Sequence, residues 1–128
     1  MSATPGYTRV TWDGLTDYPG ETSRIYSGPL ACEHIAFIVN RQEPGGGGTM
    51  HAHDDAEEIY VLLRGKAQLR VGDEVIEMAP LDAVRVAPKV EHANSNPSDA
   101  DAWWLVMASP VDEFIAWDPV AYGPPATA

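Results

Sequence analysis

Two of the four histidines in this 128-residue chain, His51 and His53, are separated by a single residue and followed at once by four carboxylates, in the stretch HAHDDAEEIY. On a β-strand, residues i and i+2 point to the same face about 6.6 Å apart, so the two imidazoles would lie side by side. Two imidazoles on one face repel each other when protonated and need partners when buried. A shared metal ion, with bonds of about 2.1 Å, satisfies both rings. We therefore predict that His51 and His53 chelate a metal.

A carboxylate from the following strand can close a third side of this site, and the parity of the strand decides which one. If Glu57 faces the metal, the odd-numbered residues of the strand share its face; if Glu58 does, the even-numbered residues share it, Tyr60 among them. Both faces of this strand, EEIYVLL, are largely apolar, so the alternation leaves the choice open. A strand with two apolar faces must also be covered on its outer side, by N-terminal strands or by a second subunit.

The elements that position these residues are predicted to be short strands. Eleven glycines and eleven prolines fall between short apolar or alternating runs, which is typical of an all-β barrel or sandwich. Helical periodicity is absent over any useful length. The predicted strands are Tyr7–Trp12, Ser23–Tyr26, Ala31–Asn40, Thr49–His53, Glu57–Leu63, Ala67–Val71, Glu74–Met78, Ala83–Val86, Glu91–Ala93, Trp103–Ala108 and a weak Phe114–Trp117.

The stretch from Gly45 to Gly65, GGGGTMHAHDDAEEIYVLLRG, resembles the first motif of the cupin superfamily. That motif runs Gly, five residues, His-x-His, three or four residues, Glu, six residues, Gly. The positions that match it are Gly45, His51, His53, Glu58 and Gly65. The six-residue step to the last glycine selects Glu58 over Glu57.

The stretch LDAVRVAPKVEHANSN, residues 81–96, is similar to the second cupin motif. That motif runs Gly, five residues, Pro-x-Gly, two residues, His, three residues, Asn. His92 and Asn96 match it, whereas Leu81, Ala87 and Lys89 stand where the family has Gly, Pro and Gly. We expect these departures to alter turns beside the site and to place a lysine near its rim.

The resemblance implies a double-stranded antiparallel β-barrel of the cupin or jelly-roll type, often found as a dimer. It also implies that His51, His53, Glu58 and His92 converge on one divalent metal ion in the mouth of the barrel. Three neutral imidazoles and a carboxylate suit Fe, Mn, Ni, Co or Zn. We divide the chain into N-terminal strands or an arm at 1–30, the cupin barrel at 31–118 and a flexible tail at 119–128.

Three functions are compatible with this site. The favoured one is a dioxygenase acting on a small oxygen-rich organic substrate, because such a ligand set leaves up to two adjacent octahedral positions open. The alternative is a lyase, isomerase or cyclase that uses Tyr60 as its base, since small cupin-type lyases carry a tyrosine at that step from the glutamate. Packing of the barrel is the other interpretation of Tyr60. The degenerate second motif favours a third function, a cupin that binds or senses a small ligand without turnover.

The composition restricts the partners. Eight Lys and Arg against 19 Asp and Glu give a formal charge of −11, which disfavours nucleic acid and anionic membranes. No apolar run approaches the roughly 20 residues that span a bilayer. We expect no secretory signal, because the N-terminus has neither a basic start nor an apolar stretch of signal length. Cys32 is the single cysteine, and His34, the remaining histidine, is read as structural or exposed. We expect a cytoplasmic homodimer with a small-molecule substrate.

Overall fold

Eight strands and two short helices make up the computed structural model, which describes residues 6–18 and 22–125. The strands are β1 Ser23–Ile25, β2 Ala36–Gln42, β3 Glu57–Arg64, β4 Ala67–Val71, β5 Glu74–Met78, β6 Ala83–Val86, β7 His92–Ser95 and β8 Ala102–Ser109. A 3-10 turn at Trp12–Gly14 precedes them, and helices α1, Val111–Trp117, and α2, Pro119–Tyr122, follow. The pairing is antiparallel throughout, in a five-stranded sheet β1-β2-β8-β3-β6 and a three-stranded sheet β5-β4-β7.

The core lies between the two sheets, because the inward side chains of both are apolar. Leu62 of β3 and Leu69 of β4 come from opposite sheets and are both completely buried. Burial of a side chain of this kind contributes roughly 1.5–3 kcal/mol. The predicted all-β fold of the jelly-roll type is confirmed, and the described strands form two facing sheets rather than one closed barrel.

The two neighbouring tryptophans of β8 point to opposite faces of the sheet, as the alternation predicts. Trp104 is completely buried and donates its indole N–H to Oε1 of Gln42 at 2.8 Å. Trp103 faces outward and contacts the ring of Trp12, with ring centroids 5.4 Å apart. The N-terminal segment therefore covers one end of the outer face.

The rest of that outer face is half-buried and apolar, which agrees with the two apolar faces read from β3. Its members are Phe37, Val39, Ile59, Val61, Leu105 and Met107. The guanidinium of Arg24 lies 4.2 Å from the centroid of the Trp12 ring, so a cation–π contact holds the covering residue in place. The homodimer stays a prediction.

Two predicted strands are wrong. The stretch Tyr7–Trp12, which lies within the described residues, forms no strand and leads into the 3-10 turn. Residues Phe114–Trp117, read as a weak strand, belong to helix α1. Asp112 and Glu113 lie in the first turn, where the helix dipole favours acids, and the spacing of Val111, Phe114 and Ile115 places one apolar face against the core. A helix of seven residues is too short for its periodicity to stand out in the sequence.

Other element boundaries also differ from the prediction. β2 begins at Ala36 rather than at residue 31, and the predicted strand Thr49–His53 contributes an isolated bridge at His51. The segment expected to be a flexible tail begins with α2, whose Tyr122 is buried against Phe114. Residues 126–128 of that tail lie outside the described part of the chain. No helix within residues 6–18 and 22–125 is both long and apolar enough to cross a membrane.

The two positions where the second motif has lost its glycines keep a backbone conformation that glycine favours. Leu81 has φ 73° and Lys89 has φ 69°, both in the left-handed region. A side chain in this region costs roughly 1–2 kcal/mol, because Cβ approaches the following carbonyl oxygen. The turns beside the site therefore tolerate residues that strain them.

We predict that Leu81→Gly stabilises the protein. Leu81 is 77% exposed, so little packing is lost, and glycine relieves the strain while adding entropy to the unfolded chain. The expected net gain is roughly 0.5–1 kcal/mol in the free energy of unfolding, measured by urea denaturation. Leu81→Ala is the control, because it removes the same packing and keeps the strain. Equal midpoints for the two variants would contradict the prediction.

Candidate metal centre

Residues from both sheets and from the loop before β3 meet at one end of the interior. Glu58 lies on the inner face of β3, in the five-stranded sheet, and His92 begins β7, in the three-stranded sheet. His51 is fixed opposite His92 by two backbone hydrogen bonds of 3.0 and 2.9 Å. His53 follows two residues later. All four predicted ligands, His51, His53, Glu58 and His92, are thus brought together.

The four side chains are close enough to share one ion. Each offers a ligand atom, and these atoms all lie within 4.8 Å of one another. Bonds of about 2.1 Å in an octahedron separate adjacent ligand atoms by about 3.0 Å and opposite ones by about 4.2 Å. Small side-chain rotations therefore bring the set to bonding distance. The ring centroids of His51 and His92 are 4.4 Å apart, and those of His51 and His53 are 5.2 Å apart.

One ring nitrogen of this group shows that the residues fit a metal. Nε2 of His53 is buried and has no hydrogen-bond partner, although it lies 3.1 Å from Oε1 of Glu58. The approach is close enough for an ion pair but lacks the direction of a hydrogen bond. The same carboxylate oxygen lies 2.5 Å from Nε2 of His92. A buried nitrogen lone pair beside a carboxylate is the environment that a divalent cation satisfies.

The outer nitrogens of the three rings all face oxygen atoms. Nδ1 of His51 lies 2.7 Å from the carbonyl oxygen of Thr49, and Nδ1 of His92 lies 2.9 Å from that of Val90. A carbonyl oxygen only accepts hydrogen bonds, so these Nδ1 atoms carry the protons. Nε2 of both rings is therefore the nitrogen available to a metal, which would replace the contact between Nε2 of His92 and Glu58. These outer acceptors are functional groups that the sequence analysis did not identify.

The third ring, His53, faces a carboxylate instead. Its Nδ1 lies 3.4 Å from Oε2 of Glu113, in helix α1. Burial raises the pKa of Glu113, but hydrogen bonds from the backbone N–H groups of residues 54–56 outweigh this effect and lower it overall. The sequence analysis missed Glu113. Sixty residues separate it from His53, and the signal that could have located it, the helical spacing of α1, is short.

Glu58 supplies a negative charge to the centre. Burial would raise the pKa of its carboxyl group, yet the close approach of the His53 and His92 rings outweighs burial and lowers the pKa to about 2. The same proximity of Glu58 raises the pKa of His53, against the effect of burial. The carboxylate is therefore ionised at neutral pH, and it partly offsets the charge of a divalent ion.

Tyr60 lies beside the centre, on the same face of β3 as Glu58, as predicted. Its ring is 4% exposed and packs edge-on against His92 and Trp104, with ring centroids 5.5 and 5.9 Å away. Burial, and then the charge of Glu58, raise the pKa of the phenol well above its usual value. These groups keep Tyr60 protonated at neutral pH, which favours its packing role.

The centre is closed on one side and open on another. Phe114 of α1 is buried and its ring lies 4.8 Å from that of His53, whereas His51 is exposed. Lys89 lies at the rim as expected, and its backbone N–H donates to the carbonyl of His53. His34 and Cys32 lie outside the group.

Asn96, which also matches the second motif, has a structural role. It is completely buried, and its amide nitrogen donates to the carbonyls of Gln42 and Ala100 at 3.0 and 2.7 Å. Its Oδ1 accepts from the backbone N–H of Ser98 at 3.0 Å. Asn96 therefore fixes the loop that joins β7 to β8.

Solved structures share this architecture. A cupin protein from Bacteroides fragilis is similar with a TM-score of 0.72 and 24% identity, over 84% of this chain and 86% of that one. A protein from Thermus thermophilus has a TM-score of 0.64 and 25% identity, over 80% and 96% of the two chains. A cupin 2 conserved barrel domain protein from Salinispora arenicola has a TM-score of 0.66 and 16% identity, over 83% and 89%.

Among curated proteins, no sequence matches the chain. The sequence pattern of the cupin domain matches residues 39–108, more than half of the chain. The matched region runs from β2 to β8 and contains all four members of the candidate metal centre. The fold has two sheets of the jelly-roll type, and its candidate metal centre has three histidines and a glutamate. Because the cupin domain also matches more than half of the sequence, the chain belongs to the cupin family.

Proposed function

We propose that this protein is a metal-dependent dioxygenase that acts on a small oxygen-rich organic substrate. The observation that carries the proposal is the convergence of three imidazoles and one ionised carboxylate, with the buried Nε2 of His53 left without a hydrogen bond. A divalent metal held by such a set supplies Lewis acidity, redox capacity and open coordination positions.

The chain's own residues prepare the site for that chemistry. The carbonyls of Thr49 and Val90 hold Nδ1–H of two histidines, so their rings are oriented before a metal arrives. Phe114 and Tyr60, both buried, exclude water from the inner side. The exposed side at His51 is the route by which a substrate enters. A formal charge of −11 on the chain favours neutral or weakly anionic substrates over polyphosphates.

A lyase, isomerase or cyclase with Tyr60 as its base is the second candidate. It is favoured by the position of Tyr60, whose ring lies 5.5 Å from that of His92. The raised pKa of the phenol opposes it, because a base must be deprotonated before it can accept a proton. A non-catalytic binding cupin becomes the better description if the protein binds no metal.

We predict that the protein binds about one equivalent of a divalent metal and that His51→Ala removes it. His51 is chosen because it is exposed, so its loss removes a ligand without opening the core. His34→Ala is the matched control, since the side chain of His34 is 85% exposed and lies outside the centre. Elemental mass spectrometry of untagged protein gives the metal content. An absence of metal from the wild type after reconstitution would contradict the prediction.

We predict that turnover requires dioxygen. The iron- or manganese-loaded protein is screened with small compounds that carry hydroxyl, carbonyl or carboxylate groups, and an oxygen electrode follows dioxygen uptake. For a dioxygenase, the dioxygen consumed equals the substrate consumed, and uptake stops in the His51→Ala variant. Full turnover under anaerobic conditions would exclude the oxygenase and favour the second candidate.

We predict that Tyr60→Phe keeps the metal content and keeps turnover within about threefold, because the ring packs in the same place. Loss of a general base typically lowers the rate by about 10²- to 10⁴-fold. Tyr26→Phe serves as the control, because Tyr26 contacts Trp12 and Phe37 rather than the centre. If turnover instead slows by about two orders of magnitude or more while the metal content stays unchanged, Tyr60 is the base.

A further inference from the structure

We propose that Glu113 is a positioning residue that orients His53 and favours the tautomer with the proton on Nδ1. The inference rests on the proposed function in one respect, namely that His53 binds the metal through Nε2. Glu113 lies in α1, beyond the region that matches the cupin domain, which ends at residue 108. The positioning of His53 is therefore a feature of helix α1 of this chain.

The first observation is the cradle that holds the Glu113 carboxylate. Oε1 accepts hydrogen bonds from the backbone N–H groups of Asp55 and Ala56, both at 2.8 Å, and Oε2 accepts one from Asp54 at 3.0 Å. Three successive N–H groups that converge on one anion fix its position closely. Because these residues follow His53 directly, the carboxylate anchors the loop that joins His53 to β3.

The second observation is the position of this carboxylate beside the ring of His53. Oε2 lies 3.4 Å from Nδ1 of His53, on the opposite side of the ring from Nε2, which lies beside Glu58. A carboxylate accepts hydrogen bonds and donates none, so Glu113 favours the tautomer with the proton on Nδ1, in competition with Glu58, whose Oε1 lies 3.1 Å from Nε2. That tautomer leaves the lone pair of Nε2 pointing into the centre. Glu113 thus acts through His53 and is not itself placed among the ligands.

The third observation is that the next residue of the same helix, Phe114, packs against the ring of His53. Phe114 is 4% exposed, and its ring centroid lies 4.8 Å from that of His53. The helix is itself tied to the body of the protein, because the backbone N–H of Val111 donates to the carbonyl of His34 at 2.9 Å. Helix α1 therefore constrains His53 through two contacts, one at Nδ1 from Glu113 and one with the ring of Phe114.

The other two histidines are held differently. His51 and His92 each have an acceptor two residues earlier in their own segment, at Thr49 and Val90. Those contacts form as soon as the local backbone forms. His53 depends on a residue sixty positions later, so its orientation depends on the docking of α1.

The test compares Glu113→Gln with Asp112→Asn, which removes the same charge from a neighbouring exposed residue of the helix. If the glutamine keeps its oxygen on the N–H groups of Asp55 and Ala56, its NH₂ group replaces Oε2 and donates to Nδ1 of His53. Nδ1 of His53 then accepts a hydrogen bond, which favours the tautomer with the proton on Nε2. Long-range ¹H–¹⁵N NMR of the metal-free proteins, at a pH where His53 is neutral, distinguishes the two tautomers.

We expect a larger population of the Nδ1–H tautomer of His53 in the wild type and in Asp112→Asn than in Glu113→Gln. We also expect the affinity for Ni²⁺, measured by competition with a chelator, to fall by about 10- to 100-fold in Glu113→Gln and to stay within about twofold in Asp112→Asn. The Glu113→Asp variant, which keeps a shorter carboxylate, should recover part of the affinity.

Either of two results would overturn the proposal: tautomer populations of His53 that do not change between the wild type and a folded Glu113→Gln variant, or a Ni²⁺ affinity that does not change between these two proteins. If that variant fails to fold, Glu113→Asp gives the same comparison, because its shorter carboxylate should lower both the Nδ1–H population and the Ni²⁺ affinity in part. A shifted tautomer population in a protein that binds no metal would support the role of Glu113 while refuting the proposed function, so the two failures are distinguishable.

Discussion

A buried negative charge constrains the whole interior. Glu58 is 3% exposed and ionised, and an unpaired carboxylate at that depth destabilises a protein by several kcal/mol. Its partners come from the opposite sheet and from the loop before β3, so both must be in place before the charge is balanced. The two sheets are therefore joined at this end by electrostatics and at the other end by apolar contacts around Leu62 and Trp104.

The same constraint explains why short elements outside the sheets matter. The backbone bridge between His51 and His92 joins the loop before β3 to β7, and helix α1 contacts the same loop through Glu113 and Phe114. The effect of these contacts is to remove freedom from the imidazole rings, which lowers the reorganisation needed when a ligand arrives.

Much of the fold and most of the site could be predicted from local patterns. Short apolar or alternating runs bounded by turn residues placed β3 to β6 and β8 to within a few residues. The spacing of the first motif selected Glu58, which periodicity alone left open. The errors fall where a pattern is too short or too distant. Helix α1 has seven residues, and no local signal links Glu113 to a histidine sixty positions earlier, because docking of the helix decides that contact.

Leu81 and Lys89 have a consequence for how members of this family are recognised. Their positive φ angles show that the second motif specifies a backbone shape, for which glycine is the easiest residue but not a necessary one. Each replacement destabilises the fold by an amount on the order of 1 kcal/mol, which a domain of this size can absorb. A description of the family written in residue letters therefore loses distant members that one written in backbone angles would keep.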